Sequence, residues 1–461
     1  NLEPNDVILL TVRCLSIFLF PAALFAGETQ STPSVNPLNF YLFAVVGILF
    51  VLPTVLAALY HLVLGIIGLC LTHKVQQFDT PKTRFAVLIP AHNEENGILN
   101  TLHNLHYKLD YPKELLDIYV VADNCNDSTA KIAYSGIPID EKSEHQRFEE
   151  ISKIDDDYNV KVLERFDDVN RGKGYALNYA IPMILNETQC DGILVIDADC
   201  TLDPHSLRTF DKRLQKEPNE PLQLNYVVGN PDESATSYLL AVANCLENEF
   251  FYAPKEMFGG FVMLRGTGMY LPRTVLERFP WEAFSVVEDM DYSLQLLRHD
   301  ISVGFVNEAR VYSDFPVVIE TLSVQRKRWI VGTFIFTLQR SLPLMLKGLF
   351  SFRKRRFDAG LSLLVISRPL LVFQLFCTTI LTVLLVYPLN VTYSIVLLSA
   401  TLCCYVTYFF YFWCGVIRLG LTKHRMGLLV ALPLKIISYL GIAARSILGK
   451  RSTTWDRTPR K

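Results

Sequence analysis

The chain has 461 residues, too many for a peptide or mini-protein, and its 44 Lys and Arg against 46 Asp and Glu give a net charge of −2 that offers no reason to expect a nucleic-acid partner. Half of the residues are hydrophobic and 20% are charged, and a mean hydropathy of +0.25 implies membrane-embedded and polar parts in one chain. Ten cysteines without a CxxC pair point to buried thiols in a reducing compartment, not to disulfides or a zinc site.

A membrane-crossing helix needs about 20 mainly apolar residues. Val7–Phe25, interrupted by Arg13, reads as a retained helix in preference to a signal-peptide centre, and Phe40–Thr72 is a clearer span. The loop between them carries no Lys or Arg, whereas the segment after Thr72 is rich in both, so the positive-inside rule puts the following domain and the N-terminus in the cytoplasm.

From Arg84 the pattern becomes short apolar runs alternating with helical stretches, which predicts an α/β domain with a mostly parallel sheet. Phe85–Pro90 is the first strand, followed by Asn93, Glu94 and Glu95 and a helix near Gly97–Leu109. Asp117–Val121 is the second, ending at Asp123, and Val160–Glu164 the third, reached after a charged insertion from about Ser135 to Asp157. Arg171-Gly172-Lys173-Gly174 opens a helix, and Gly192–Ile196 is a strand ending in Asp197-Ala198-Asp199. Ligands of an open parallel sheet bind outside the carboxyl ends of the strands, where these acidic residues fall, and converging carboxylates suit a divalent cation. For Asp197 and Asp199 the alternative is a pair of acids in a surface turn. Asp167 and Gly174 stand where a phosphate-binding P-loop would need Gly and Ser or Thr, so a kinase or ATPase loop is excluded, while Lys173 at a helix start can still meet a phosphate.

Gly266-Thr267-Gly268, between two apolar groups, allows backbone to approach a ligand closely or makes a plain turn. Glu288 and Asp289 begin a helix; carboxylates there cap the helix dipole, or an ionised Asp facing a cleft acts as general base. Gln325, Arg328 and Trp329 share one helix face, offering a guanidinium fork for phosphates and a flat stacking surface, or else an interfacial basic and aromatic belt. Residues 330–358 then read as an amphipathic helix on the inner leaflet, the alternative being a helix of the soluble domain. Gly360–Pro388 and Val391–Leu419 form a membrane hairpin, and Met426–Leu448 an interfacial or re-entrant helix before a basic cytoplasmic tail. The resulting organisation is N-terminal transmembrane helices in 1–72 (about 7–25 and 40–72), a cytoplasmic domain in 73–329, the interfacial helix in 330–358 and the C-terminal membrane region in 359–461.

Taken in order, Pro90-Ala91-His92-Asn93-Glu94-Glu95, Asp123, Gly172-Lys173-Gly174, Asp197-Ala198-Asp199, Glu288-Asp289 and Gln325-x-x-Arg328-Trp329 resemble the membrane-integrated family 2 glycosyltransferases, which include cellulose, hyaluronan and poly-N-acetylglucosamine synthases. The match runs from about Phe85 to Gly332, and residues 454–460 resemble the tail of bacterial exopolysaccharide members. The resemblance implies a cytoplasmic GT-A-type domain that uses a nucleotide-diphosphate-sugar with inversion. By matched position, Asn93, Glu94, Asp123, Lys173, Asp197 and Arg328 would bind the donor, with Asp123 facing the base. Asp199, with Asp197, would hold Mg²⁺ or Mn²⁺. Asp289, beside Glu288, would be the general base, and Gly266, Thr267, Gly268, Gln325 and Trp329 would meet the acceptor. Val287 stands where many processive synthases have Thr, and the 135–157 insertion has no counterpart in the pattern.

The leading expectation is therefore an inverting β-glycosyltransferase of the cytoplasmic membrane, multi-pass, moving a glucose- or N-acetylglucosamine-type sugar from a UDP-sugar to a growing polysaccharide or exopolysaccharide, with membrane lipids around it and a secretion or export subunit as a further partner. A second is a non-processive enzyme making a glycolipid, as ceramide glucosyltransferases resemble the same pattern near Arg328-Trp329. A third, from another class, is a transporter or membrane scaffold with a nucleotide-binding domain.

Overall fold

The computed structural model describes residues 37–71, 77–136, 160–315, 319–366, 368–385 and 391–432, with 438 and 441; for 37, 40, 319–330, 366 and 368–370 it describes the backbone alone. The expected helix Val7–Phe25, most of the charged insertion and the larger part of Met426–Leu448 lie outside the described residues.

Helix α1 (Pro37–Val46) passes through a π-helical turn, Gly47–Val51, into α2 (Leu52–Cys70). Among the described residues the domain that follows is built on one sheet of eight strands: β1 (Phe85–Ala91), β2 (Leu116–Asp123), β3 (Val160–Arg165), β4 (Gly192–Val195), β5 (Cys200–Leu202), β6 (Leu222–Val228), β7 (Met269–Pro272) and β8 (Gly304–Ser313). Their order is β3-β2-β1-β4-β7-β6-β8-β5. The half from β3 to β4 is parallel, as the apolar runs predict. In the other half β7 is antiparallel to both β4 and β6, β5 is antiparallel to β8, and β6 and β8 are parallel.

All seven residues of β1 are buried, which is the condition of a strand covered on both faces. Side chains alternate along it: Phe85, Val87 and Ile89 join the core beneath Ile98, Leu102 and Phe210, whereas Ala86 and Leu88 join the opposite core with Leu177, Ile181 and Leu296. The helices supplying these layers are α3 (Ile98–His103), α4 (Thr129–Ser135), α5 (Lys173–Glu187) and α6 (Ser206–Leu214), then α7 (Ala235–Glu247), a π turn at Asn248–Tyr252, α8 (Ala253–Met257), α9 (Arg273–Arg278) and α10 (Glu288–Arg298).

The second core does not stop at the domain. It takes in Ala57 and Leu64 of α2, and Ala359 and Leu363 of α12 (Lys354–Ile366). α12 is preceded by α11 (Ile319–Phe350) and followed by α13 (Arg368–Leu384) and α14 (Val391–Leu419). α11 runs unbroken across residue 330, so the expected interfacial helix and the Gln325–Trp329 segment belong to one rod, with Leu338, Leu342, Leu346, Leu349 and Phe350 exposed along its later turns. Within the expected span Gly360–Pro388 the first turns are buried against α11, where Ser341 Oγ donates to Gly360 O (2.7 Å), and among the described residues Leu371–Leu384 is an apolar helix. Among the described residues, Tyr41–Cys70 and Val391–Leu419 are long and apolar enough to cross a membrane.

Polar groups lock these helices to the domain. Arg418 of α14 pairs with the buried Glu249 (2.6 Å) and donates to Gly68 O at the end of α2 (2.7 Å). A Cβ at Gly68 would lie 2.7 Å from Phe250 Cδ1, so only glycine permits that approach. Asp358 of α12 accepts from Tyr60 Oη (2.6 Å) and pairs with the buried Lys255 (3.0 Å). None of the nine described cysteines is disulfide-bonded.

Candidate active site

The carboxyl ends of β1, β2, β3 and β4 form one rim, and the loops leaving them are tied together. Asn93, two residues after β1, and Asn124, directly after β2, both adopt the left-handed conformation (φ 56° and 51°), which asparagine tolerates well among residues with a side chain. Asn93 Oδ1 accepts from Asn126 N (2.8 Å), and Glu94 N donates to Thr129 Oγ1 (2.7 Å). Asp123 is buried at the end of β2; its Oδ1 accepts from Arg165 Nη1 (2.5 Å) and Asn124 Nδ2 (3.1 Å). Among the described residues its Oδ2, equally buried, has no partner. Arg165, at the end of β3, is a residue that sequence reasoning missed. A basic residue at a strand's carboxyl end, opposite an acid at the end of its neighbour, is the signal that would have found it.

A second group of residues gathers where β4 meets the loop before β7. Gly172, with φ 135°, is a position for glycine and starts α5, which delivers Lys173. Lys173 Nζ forms an ion pair with Asp197 and donates to Gly266 O (2.8 Å). Burial alone would lower its proton affinity, but the carboxylates of Asp197 and Glu288 outweigh that and hold its ammonium above the ordinary lysine value. Gly266 and Gly268 both have positive φ (77° and 67°), and between them Thr267 Oγ1 accepts from Asp197 N (3.1 Å). The Gly-Thr-Gly segment is thus a clamp on Asp197 and Lys173.

Asp289 lies across this clamp. A Cβ built on Gly266 would be 3.5 Å from Asp289 Oδ2 and 3.7 Å from Lys173 Nζ, so the glycine leaves open the space between acid and ammonium. Asp289 Oδ1 accepts from Met290 N (2.8 Å) at the start of α10, which leaves Oδ2 toward the cleft. Glu288 and Asp289 are a coupled pair. Burial raises both, Glu288 further, to about 8, with the Asp289 charge adding to it, and Asp289 to about 6, its rise limited by the Met290 N–H and by Lys173 and Arg265. Asp289 is therefore the member that ionises first. Arg265, also missed from the sequence, is held by Asn244 Oδ1 (2.8 Å) and Glu247 (3.2 Å).

Oxygens of Asp197 and Asp199 and Cys200 Sγ lie within 4.8 Å of one another. Burial and the two neighbouring carboxylates push the Cys200 thiol well above its ordinary value. Asp199 Oδ2 accepts from Ser313 Oγ (3.3 Å), and Asp197 retains the oxygen not used by Lys173. Two neighbouring carboxylates fit Mg²⁺ or Mn²⁺, which take oxygen ligands. Side chains of Gln325, Arg328 and Trp329 lie outside the described residues. One turn after Arg328 and Trp329, a Cβ at Gly332 would be 3.2 Å from Val287 Cγ1, so α11 seats directly on the residue that precedes Glu288.

Residues 81–332 match the family model described as "Glycosyltransferase like family 2". The chain belongs to that family. The family 2 transferase has the GT-A-type α/β fold, with a mixed sheet. It is 25% identical over 256 residues to the beta-monoglucosyldiacylglycerol synthase of Synechocystis, covering 55% of this chain and 48% of that one. It is 25% identical over 284 residues to the probable glycosyltransferase YdaM of Bacillus subtilis, 60% of each chain. The chain spans about half the length of the glucosyldiacylglycerol synthases it matches. Among solved structures it is similar to the mannosyltransferase PcManGT from Pyrobaculum calidifontis in complex with GDP-Man and Mn²⁺, at 17% identity and TM-score 0.48, covering 88% of this chain and 99% of that one.

Proposed function

We propose that this family 2 glycosyltransferase moves a glucose- or N-acetylglucosamine-type sugar from a UDP-sugar, with inversion, to a membrane-borne acceptor hydroxyl. The observation that carries the reading is the convergence of Asp289 Oδ2, Lys173 Nζ and Asp197 around Gly266, at the carboxyl rim of the sheet. Asp289 takes the acceptor proton as its oxygen attacks the anomeric carbon. Lys173 balances the phosphates. Asn93, Glu94 and Asp123 receive the nucleotide, while Thr267 and Gly268 shape the acceptor side with Gly266. Gln325, Arg328 and Trp329 close over diphosphate and acceptor. Asp199 and Asp197 hold Mg²⁺ or Mn²⁺, which supplies Lewis-acid stabilisation of the departing diphosphate.

A single sugar added to a lipid is the acceptor reading we favour. Its support is that curated relatives are glucosyldiacylglycerol synthases, that Val287 replaces the Thr common in processive members, and that the core is continuous with helices apolar enough to enter a bilayer. Polysaccharide elongation is the second reading, favoured by the Gln325-x-x-Arg328-Trp329 pattern. In either case the basic segments after Thr72 support a cytoplasmic site, and the exposed leucine stripe of α11 supports an interfacial helix. Mass spectrometry of products formed from labelled UDP-sugar in lipid vesicles separates the two: one sugar per lipid supports the first, a ladder of lengths the second.

A further inference from the structure

We infer that the turn between α11 and α12 is a binding site for the phosphate headgroups of anionic phospholipids, with Asp300 as the internal anion that the lipid displaces. The inference goes beyond the transfer reaction and holds for any donor or acceptor. Lys347–Arg356 contains five basic residues and no acid, and between them stand Leu349, Phe350 and Phe352. Phe352 is 95% exposed and Phe350 79%. Phe258, just past α8, is exposed beside them, its carbonyl accepting from Lys354 Nζ (3.3 Å). Phe352 sits in the left-handed region (φ 53°), where a bulky side chain is strained and glycine or asparagine would be at ease. The turn is nonetheless tightly built: Phe352 N donates to Leu349 O (3.2 Å), Arg353 N donates to Gly348 O (2.9 Å), and a Cβ at Gly348 would collide with Phe357 N. The ring gains almost no burial within the chain in return for the strain, so what would bury it lies outside the chain.

The setting of the turn identifies that partner. Lys354, the first residue of α12, lies about 6 Å of helix rise from Asp358, which accepts from Tyr60 Oη (2.6 Å) in Tyr41–Cys70, a helix long and apolar enough to cross a membrane. On its other side the turn continues the exposed leucines of α11. Apolar side chains ringed by Lys and Arg beside such a helix suit a leaflet surface, the rings entering the acyl boundary while the cations meet phosphate, and anionic lipids attract that charge more strongly than zwitterionic ones. Two of the cations are held within the chain. Arg353 Nη1 pairs with Asp300 Oδ2 (2.7 Å) and Arg356 Nη2 with Asp300 Oδ1 (3.5 Å), and the Arg353 and Asp300 side chains are both about half exposed. Ion pairs so open to water are weak, so lipid phosphates concentrated at a surface can take the place of the Asp300 carboxylate.

The test is trypsin cleavage after Arg353, Lys354, Arg355 and Arg356, read by mass spectrometry, for the full-length chain in nanodiscs of phosphatidylcholine with or without phosphatidylglycerol. Phosphatidylglycerol is expected to slow this cleavage about tenfold at low salt, and high salt to remove the protection. Asp300→Asn and Phe352→Asn both place asparagine at a left-handed position (φ 59° and 53°), so both are expected to fold, and each keeps every cleavage site in the turn. Asp300→Asn, with the two arginines released, is expected to reach the same protection at severalfold lower phosphatidylglycerol content. Phe352→Asn is expected to raise Tm and to lose most of the protection. Equal cleavage of the wild type with and without phosphatidylglycerol overturns the inference. So does protection that both variants retain unchanged, which would place the lipid elsewhere on the chain, and so does equal protection by soluble glycerophosphoglycerol, which would make the turn a site for small anions and not for a lipid surface.

Discussion

Replacing Lys173 by Met removes a positive charge that the structure sets between Asp197 and the Glu288–Asp289 pair while keeping most of the side-chain volume. Lys173 Nζ and Asp289 Oδ2 lie 3.7 Å and 3.5 Å from a common point, the Cβ position of Gly266, so they are no more than about 7 Å apart. At that distance and an effective dielectric constant of about 20, the ammonium favours ionised Asp289 by about 2 kcal/mol. Asp197 pairs with the same ammonium and offsets part of its field, so the expected shift is about one pH unit or somewhat more. The sign follows from the chemistry: the base acts when ionised, Lys173 lowers its proton affinity, and loss of Lys173 moves the acidic limb of kcat/KM to higher pH. The assay is nucleotide release at subsaturating UDP-sugar between about pH 5 and pH 9 for both proteins. A uniform drop in rate with the limb unmoved would show that Lys173 serves the phosphates alone and does not face the base, and the site geometry argued above would be wrong.

Other perturbations probe separate parts of the molecule. A Cβ at Gly174 would fall 2.1 Å from Ala283 O, so Gly174→Ala should lower stability by about 1–3 kcal/mol, read as a fall in Tm in detergent. Asp199→Asn should raise the Mn²⁺ concentration needed for half-maximal activity tenfold or more, with UDP binding in the absence of metal unchanged. Arg418→Ala removes the ion pair with the buried Glu249 and one of the hydrogen bonds to Gly68 O, and should cost about 3 kcal/mol, seen in thermal unfolding and in earlier proteolysis between the apolar helices and the domain.

What could be read from the sequence follows its physical marking. β1, β2 and β4 were legible because strands of the parallel half are buried on both faces and appear as unbroken apolar runs, with Asp123 and Asp197 just past their ends. β5, three residues long, carries no such run, and β7, apolar but only four residues long, follows the glycines of the Gly-Thr-Gly turn and was not marked as a strand. Lys173 was visible as a cation at a helix start, but its partnership with Asp197 and Gly266 spans 24 and 93 residues and depends on how α5 and the Gly-Thr-Gly segment are packed. Arg165 and Arg265 escaped notice because their roles are set by neighbours on other strands and helices. The burial of Ser362 and Leu363 against other helices was not legible, because hydropathy does not tell a lipid-facing residue from one buried in the protein.

The most direct test of the account is UDP release and sugar transfer by the full-length protein across a panel of UDP-sugars with Mg²⁺ or Mn²⁺, comparing wild type with Asp289→Asn. The account predicts that wild type uses one donor, that chelation abolishes release, and that Asp289→Asn lowers transfer about 100-fold or more without weakening UDP binding. Undiminished transfer by Asp289→Asn would contradict the assignment of the base, and absence of release from every donor in wild type would return the protein to the scaffold reading.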